Sequence, residues 1–208
     1  MAVERALASI APTFLSAAVL AVEDRSADLH PDEWALVTQA VPRRVAGFSS
    51  GRAAARLALS RAGCSLAHAP ILAEAGAPIS RAGWRLSISH TDDLAVAVAC
   101  RDVDAAGLGV DVERIGRMEP GLARYIVGHA DRFPDNYGAT ELTLAFSLRE
   151  SLFKALPRER QGVLRRIDLD LIARGTPAML DPPADDGLEH RLCVAGAHVL
   201  TLAWARPQ

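Results

Sequence analysis

Cysteine is scarce in this chain. Cys64, Cys100 and Cys193 are odd in number, widely spaced and form no CxxC pair. That excludes a disulfide framework and a cysteine-built zinc site, and it suits a reducing cytosol. Long apolar runs are absent too: stretches such as Leu94 to Cys100 are far too short to cross a bilayer. Phe14 to Val22 has the apolar character of a signal core. However, Glu4 stands where a positive segment belongs, and Glu23-Asp24-Arg25 follows without a small-residue cleavage site. The stretch therefore reads as a first buried strand, and the chain as cytoplasmic with no membrane association. Excess charge is missing as well. A formal net charge of −2 argues against a general nucleic-acid binder. Aromatic residues make up only 5% of the chain, too few for a base-stacking platform. Any anion-binding surface must be local, built from clustered arginines.

What is present is a globular chain of 208 residues, half of them hydrophobic and 23% charged. The pattern predicts a strand over 12–22 and a helix start at His30-Pro31-Asp32-Glu33 that leads into Trp34–Val41. A second helix is expected over 50–62, capped by Ser49 or Ser50 and stopped by Gly63. Gly76 and Pro78 mark a turn. WRLSIS and LAVAVAC then read as two strands joined by His90-Thr91-Asp92-Asp93. Leu108–Glu113 is a further strand, 116–138 is irregular with a short helical stretch, and 140–156 is the clearest helix, ended by Pro157. Strands are expected again in Arg166–Ile172 and Arg191–Arg206, with a Pro/Asp-rich loop at 181–187.

Two echoes link the halves of the chain. FSSGRAAARLAL (48–59) lines up with FSLRESLFKAL (146–156), and LSISHTDDLAVAVA (86–99) with LCVAGAHVLTLAWA (192–205). They occur in the same order. The expected fold is therefore α+β, two pseudo-symmetric α/β halves covering 1–102 and 103–208, with a ligand cleft at their junction.

The chemistry-bearing residues sit in GVDVE (109–113) and FSLRESLFK (146–154). On a strand, Asp111 and Glu113 project to one side while Val110 and Val112 face the other. Two adjacent carboxylates repel unless a cation or proton lies between them. On a helix, Glu150 and Lys154 share a face. Taken singly, these are an exposed strand face and an ordinary helix ion pair. Taken together, three carboxylates beside a lysine suit Mg²⁺ held against a phosphate-rich substrate. The first half adds Arg44, Arg52 and Arg56, whose guanidinium groups match phosphate oxygens or simply form a solvated helix face. His90 lies at the tip of the expected hairpin, between Ser89 and Thr91.

These motifs resemble the 4′-phosphopantetheinyl transferases. GRAAARLAL (51–59), GAP (76–78), SISHT (87–91), GVDVE and FSLRESLFKAL occur in that family's order, and LHPDEWALVTQAVPRR (29–44) is similar as well. The closer likeness is to the Sfp-like, enterobactin-synthetase type, whose single chain has two similar halves. The resemblance implies transfer of the 4′-phosphopantetheine arm of coenzyme A to a serine of an apo acyl, peptidyl or aryl carrier protein, in siderophore, nonribosomal peptide or polyketide synthesis. It implies Asp111, Glu113 and Glu150 as Mg²⁺ ligands, Glu150 as general base and Lys154 as stabiliser of the breaking diphosphate. Arg44, Arg52, His90, Asp111 and Lys154 would line the coenzyme A site. A monomer is implied, because two halves in one chain supply the interface. Two departures stand out. Arg149 occupies a position that is commonly Lys, and Ala75 stands where relatives often carry a basic residue, so that either one phosphate contact is missing or Arg81 replaces it. A coenzyme A-binding module without transfer activity is the alternative of a different class, and the intact Asp111, Glu113, Glu150 and Lys154 speak against it.

Overall fold

The structure is a computed structural model, and it describes residues 2–74, 76–80, 82–127, 137–157, 161 and 188–207. It is mixed α+β with antiparallel sheets. In chain order the elements are α1 (Ala2–Ile10), β1 (Ser16–Ala21), α2 (Pro31–Trp34), α3 (Pro42–Arg61), β2 (Ala73–Glu74), β3 (Ala77–Pro78), β4 (Trp84–His90) and β5 (Leu94–Arg101). They continue with β6 (Gly107–Arg114), α4 (Ala123–Ile126), α5 (Ala139–Ala155), β7 (Leu188–Ala195) and β8 (His198–Ala205). One sheet has the order β1-β5-β4 and another β6-β8-β7, with β2 and β3 forming a small separate hairpin.

Side-chain alternation explains the layering. Along β5, Ala95, Ala97 and Ala99 pack beneath α3, and their small size lets the helix sit close. The intervening Val96, Val98 and Cys100 face the second sheet, where they meet Val110 and Val112 of β6 and Leu200 and Leu202 of β8. The other face of that second sheet lies under α5, through Leu142, Leu148, Leu152, Val199 and Ala203. The order is thus helix, sheet, sheet, helix.

The two sheets also meet along β4 and β6, without a backbone ladder between them. Two N–H groups of β6, those of Val110 and Val112, are taken instead by the hydroxyls of Ser87 (3.0 Å) and Ser89 (3.3 Å). Buried backbone donors must be paired, and here side chains from the neighbouring sheet do it.

Several expectations are corrected. The long helix begins at Pro42, not 50, with Pro in its first turn, where a missing N–H costs nothing. Ser49 and Ser50 are therefore buried mid-helix residues rather than caps. Their hydroxyls accept the N–H groups of Arg25 and Glu23 at 3.0 Å, tying the chain after β1 to α3. Helix α2 ends at Trp34, well short of Val41. The strands expected in 191–206 are present, as the hairpin of β7 and β8 turned at Gly196, whose φ is 62°. Helix α1 was not anticipated; its Leu7 is fully buried. The expected strand at 166–172, the loop at 181–187, Ala75 and Arg81 lie outside the described residues. Among the described residues no helix is long and apolar enough to cross a membrane.

Candidate active site

Strand β6 presents Gly107, Gly109, Asp111 and Glu113 on its α5 side. The two glycines set the distance between strand and helix. A Cβ on Gly109 would lie 1.9 Å from the Ser151 carbonyl oxygen, and one on Gly107 1.9 Å from that of Ala155. Only bare backbone permits this approach. It brings the far end of α5 over Asp111.

Lys154 there donates to Asp111 Oδ1 at 2.8 Å and to the Val110 carbonyl at 3.0 Å. Asp111, only 3% exposed, accepts a second bond at Oδ1 from Ser89 Oγ, at 2.8 Å. Its other oxygen, Oδ2, is buried with no hydrogen-bond partner. Glu113 lies two residues on, with Arg117 3.4 Å from Oε2. Burial, reinforced by the Asp111 charge, pushes the Glu113 carboxyl up to about 7. Burial also raises the Glu150 carboxyl, and Asp111 raises it further, against the opposing pull of Lys154. Among the described residues, no three His, Cys, Asp or Glu side chains are already drawn into a metal cluster. An unpartnered carboxylate oxygen and two neighbouring carboxyls with raised pKa nonetheless form a hard-oxygen donor set that fits a divalent cation.

Electrostatic crowding of this kind has a measurable consequence. The folded chain holds the Glu113 proton more tightly than the unfolded chain does, since its carboxyl is raised from 4.5 to about 7. Its ionisation therefore opposes folding, and its contribution to stability falls as pH rises between those two values. In chelator, the thermal midpoint of the wild type is expected to fall relative to Glu113→Gln across that window and to run parallel above it. Parallel curves throughout would contradict the assignment.

The basic side of the site comes from α3 and the end of β4. Arg44 approaches His90 Nε2 at 3.4 Å, and the His90 ring lies against the bare backbone of Gly47. Burial, above all, lowers the His90 pKa, and the nearby Arg44 and Lys154 charges act in the same direction. Arg52 is 5% exposed, stacks over Phe48 and donates its Nε to the Ile71 carbonyl. Burial brings its pKa down to about 10. Arg56, by contrast, pairs with the buried Glu33 and lines neither cavity of the site.

Two cavities meet here. One of 450 Å³ is lined by Arg44, Arg52, Ser89 and His90. The other, of 830 Å³, is lined by Glu150, Phe153 and Arg85. Lys154, Gly76, Pro78 and Ile88 line both, so the arginine-lined cavity adjoins the one that holds Glu150, while Asp111 and Glu113 line neither.

Residues 32–100, which carry the basic wall, match the family profile of the 4′-phosphopantetheinyl transferase N-terminal domain. The chain is also 36% identical over 145 residues to the 4′-phosphopantetheinyl transferase Svp of Streptomyces mobaraensis. Both matches are to 4′-phosphopantetheinyl transferases, and they support that superfamily for this chain. The alignment covers 65% of this chain and spans 57% of the length of Svp.

Of the family-type positions, Asp111 and Lys154 are in direct contact, as are Arg44 and His90. Arg149 donates to the Ile126 carbonyl, so it is engaged with α4. Several residues were missed by sequence reasoning. Ser87 and Ser89 stand in the SISHT motif, but nothing local assigns their hydroxyls to β6, and Arg85 in the larger cavity carries no local signature. One signal was available: Lys154 is the only lysine in the chain, the other basic side chains being arginines. An ammonium retained at this one position is a point charge with three donors, which a planar guanidinium cannot replace.

Proposed function

We propose that this chain transfers the 4′-phosphopantetheine arm of coenzyme A to a serine of an apo carrier protein, releasing adenosine 3′,5′-bisphosphate. The observation that carries this reading is Lys154, bonded to Asp111 and shared by the cavity lined by Arg44 and Arg52 and the cavity lined by Glu150. Arg44, Arg52 and His90 hold the phosphates of coenzyme A at one end of the cleft. The carrier serine enters at the other end, next to Glu150. Glu150 takes the hydroxyl proton, directly or through a water, and its raised carboxyl pKa makes it a stronger base at neutral pH. The serine oxygen bonds to the phosphorus that carries the pantetheine arm, and the diphosphate P–O bond breaks. Lys154, fixed by Asp111 Oδ1 and the Val110 carbonyl, balances the charge that develops on the leaving phosphate. Asp111, Glu113 and Glu150 would hold Mg²⁺, which, when bound, supplies positive charge along the diphosphate.

We further infer that the chain is two related halves dividing near 102 and acting as a monomer in the cytoplasm. In support, β1-α3-β4-β5 and β6-α5-β7-β8 follow the same element order, each with its last strand in the middle of its sheet. The echoed segments fall on α3 and α5 and on the two hairpins. Carriers of siderophore, nonribosomal peptide and polyketide synthesis present the serine this reaction needs.

Incubation with coenzyme A, Mg²⁺ and a panel of apo carriers tests the reading, with carrier-dependent release of adenosine 3′,5′-bisphosphate as the expected result. Tight coenzyme A binding without release on any carrier would support the non-transferring module instead. Arg52→Ala is expected to raise the KM for coenzyme A by about tenfold, with kcat little changed. A fall in kcat alone would contradict its place in substrate binding.

A further inference from the structure

Glu33 is fully buried, and it lines neither cavity of the site. Its carboxylate accepts the Ile71 N–H at 2.7 Å, the His30 N–H at 2.9 Å and a bond from Arg56. The His30 bond is an ordinary capping interaction at the start of α2. Glu141 makes the equivalent bond at the start of α5, to the Gly138 N–H at 2.8 Å, while only half-buried. Capping therefore does not explain the complete burial of a charged group, which is unfavourable unless the charge is used.

The Ile71 peptide supplies the use. Its N–H is held by Glu33 and its carbonyl accepts Arg52 Nε at 2.8 Å, so one buried peptide joins the carboxylate to the arginine. Phe48 supports the guanidinium from one side, its ring centroid 4.3 Å from Cζ. Arg52 has no ion-pair partner among the described residues, and it faces repulsion from Arg44 and Arg56. Glu33 is the acidic group that offsets them.

We infer that Glu33 is a positioning residue for Arg52: it anchors the Ile71 peptide, whose carbonyl fixes the guanidinium at the cavity wall. This rests on the proposed role of Arg52 in holding coenzyme A. Arg56 completes the clamp by keeping the buried carboxylate ionised and oriented, and in doing so is withdrawn from phosphate binding.

Calorimetric titration with coenzyme A, alongside transfer kinetics, tests the clamp. Glu33→Gln is expected to raise the Kd and the KM for coenzyme A by about tenfold, with kcat within about twofold of wild type. In an Arg52→Ala background the same substitution is expected to add almost nothing, because both changes disable one contact. Equal losses in both backgrounds, or a fall in kcat instead of a rise in KM, would mark Glu33 as merely structural and overturn the inference. Should Glu33→Gln not fold, Arg56→Gln carries the same expectation, since it loosens the same carboxylate from a position outside both cavities. Normal coenzyme A affinity in Glu33→Gln, or in Arg56→Gln where only that variant folds, beside weakened binding in Arg52→Ala, overturns the inference and leaves the proposed function standing. Wild-type protein that does not bind coenzyme A overturns both.

Discussion

Glu150→Gln is expected to lower the kcat of transfer by about a thousandfold, within the range seen when a general base is lost. Coenzyme A affinity should change little, because Arg44, Arg52 and His90, proposed to grip its phosphates, lie on α3 and β4, and Lys154 is left in place. Gln matches Glu in shape but accepts no proton and is a poor ligand for a hard cation. The variant should not fail through misfolding. Burial and the Asp111 charge raise the Glu150 carboxyl, so its ionised form is disfavoured in the metal-free fold. A neutral side chain removes that cost, and the thermal midpoint in chelator should hold or rise. Loss of activity with retained stability is the trade-off expected where a site stores like charges for use. Turnover within about tenfold of wild type would remove Glu150 from both of its proposed roles.

Gly109→Ala should damage both fold and site. The added Cβ would meet the Ser151 carbonyl oxygen at 1.9 Å, and backbone cannot swing aside as a flexible side chain can. Helix α5 must retreat by about 1 Å, taking with it Glu150 and Lys154, which flank the contact. Overpacking of this kind costs about 1–3 kcal/mol. For a chain of this size that lowers the thermal midpoint by roughly 2–12 °C. A displacement of that size at a catalytic group costs about a hundredfold in rate. Gly121→Ala is the control, since a Cβ there meets nothing within 4 Å and should be silent in both assays. Wild-type activity in Gly109→Ala would show that the close approach of α5 to β6 does not set the geometry of the site.

The β6 and α5 side of the candidate site was more legible in the sequence than the scaffold around it, and the reason is the range of the interactions involved. Strand β6 declares itself by alternation, so Asp111 and Glu113 could be placed on one side and Val110 and Val112 on the other, as the structure has them. Helix α5 is an unbroken stretch free of Gly and Pro, closed by the stop at Pro157. The β4–β5 hairpin is bounded by polar residues. Each of these signals is local. The start of α3 was misplaced because Ser49 and Ser50 look like caps, whereas their hydroxyls in fact serve the backbone at Glu23 and Arg25, remote in sequence. The sheet-to-sheet bonds of Ser87 and Ser89, the close approach at Gly107 and Gly109 and the Glu33–Arg56 pair likewise join distant segments. A single sequence gives such positions no periodicity to read. The same limit applied to Arg56, whose spacing on α3 fitted phosphate binding until the structure paired it with Glu33.

The central claim is that the arginine wall of α3 and the carboxylate wall of β6 and α5 form one site for arm transfer. Intact-mass analysis of an apo carrier, after incubation with the protein, coenzyme A and Mg²⁺, tests it most directly. The account predicts a gain of about 340 Da on a single carrier serine, the covalent mass of the phosphopantetheine arm, abolished by chelator and by Glu150→Gln. An unchanged mass on every carrier tried, with coenzyme A bound and the protein folded, would contradict it.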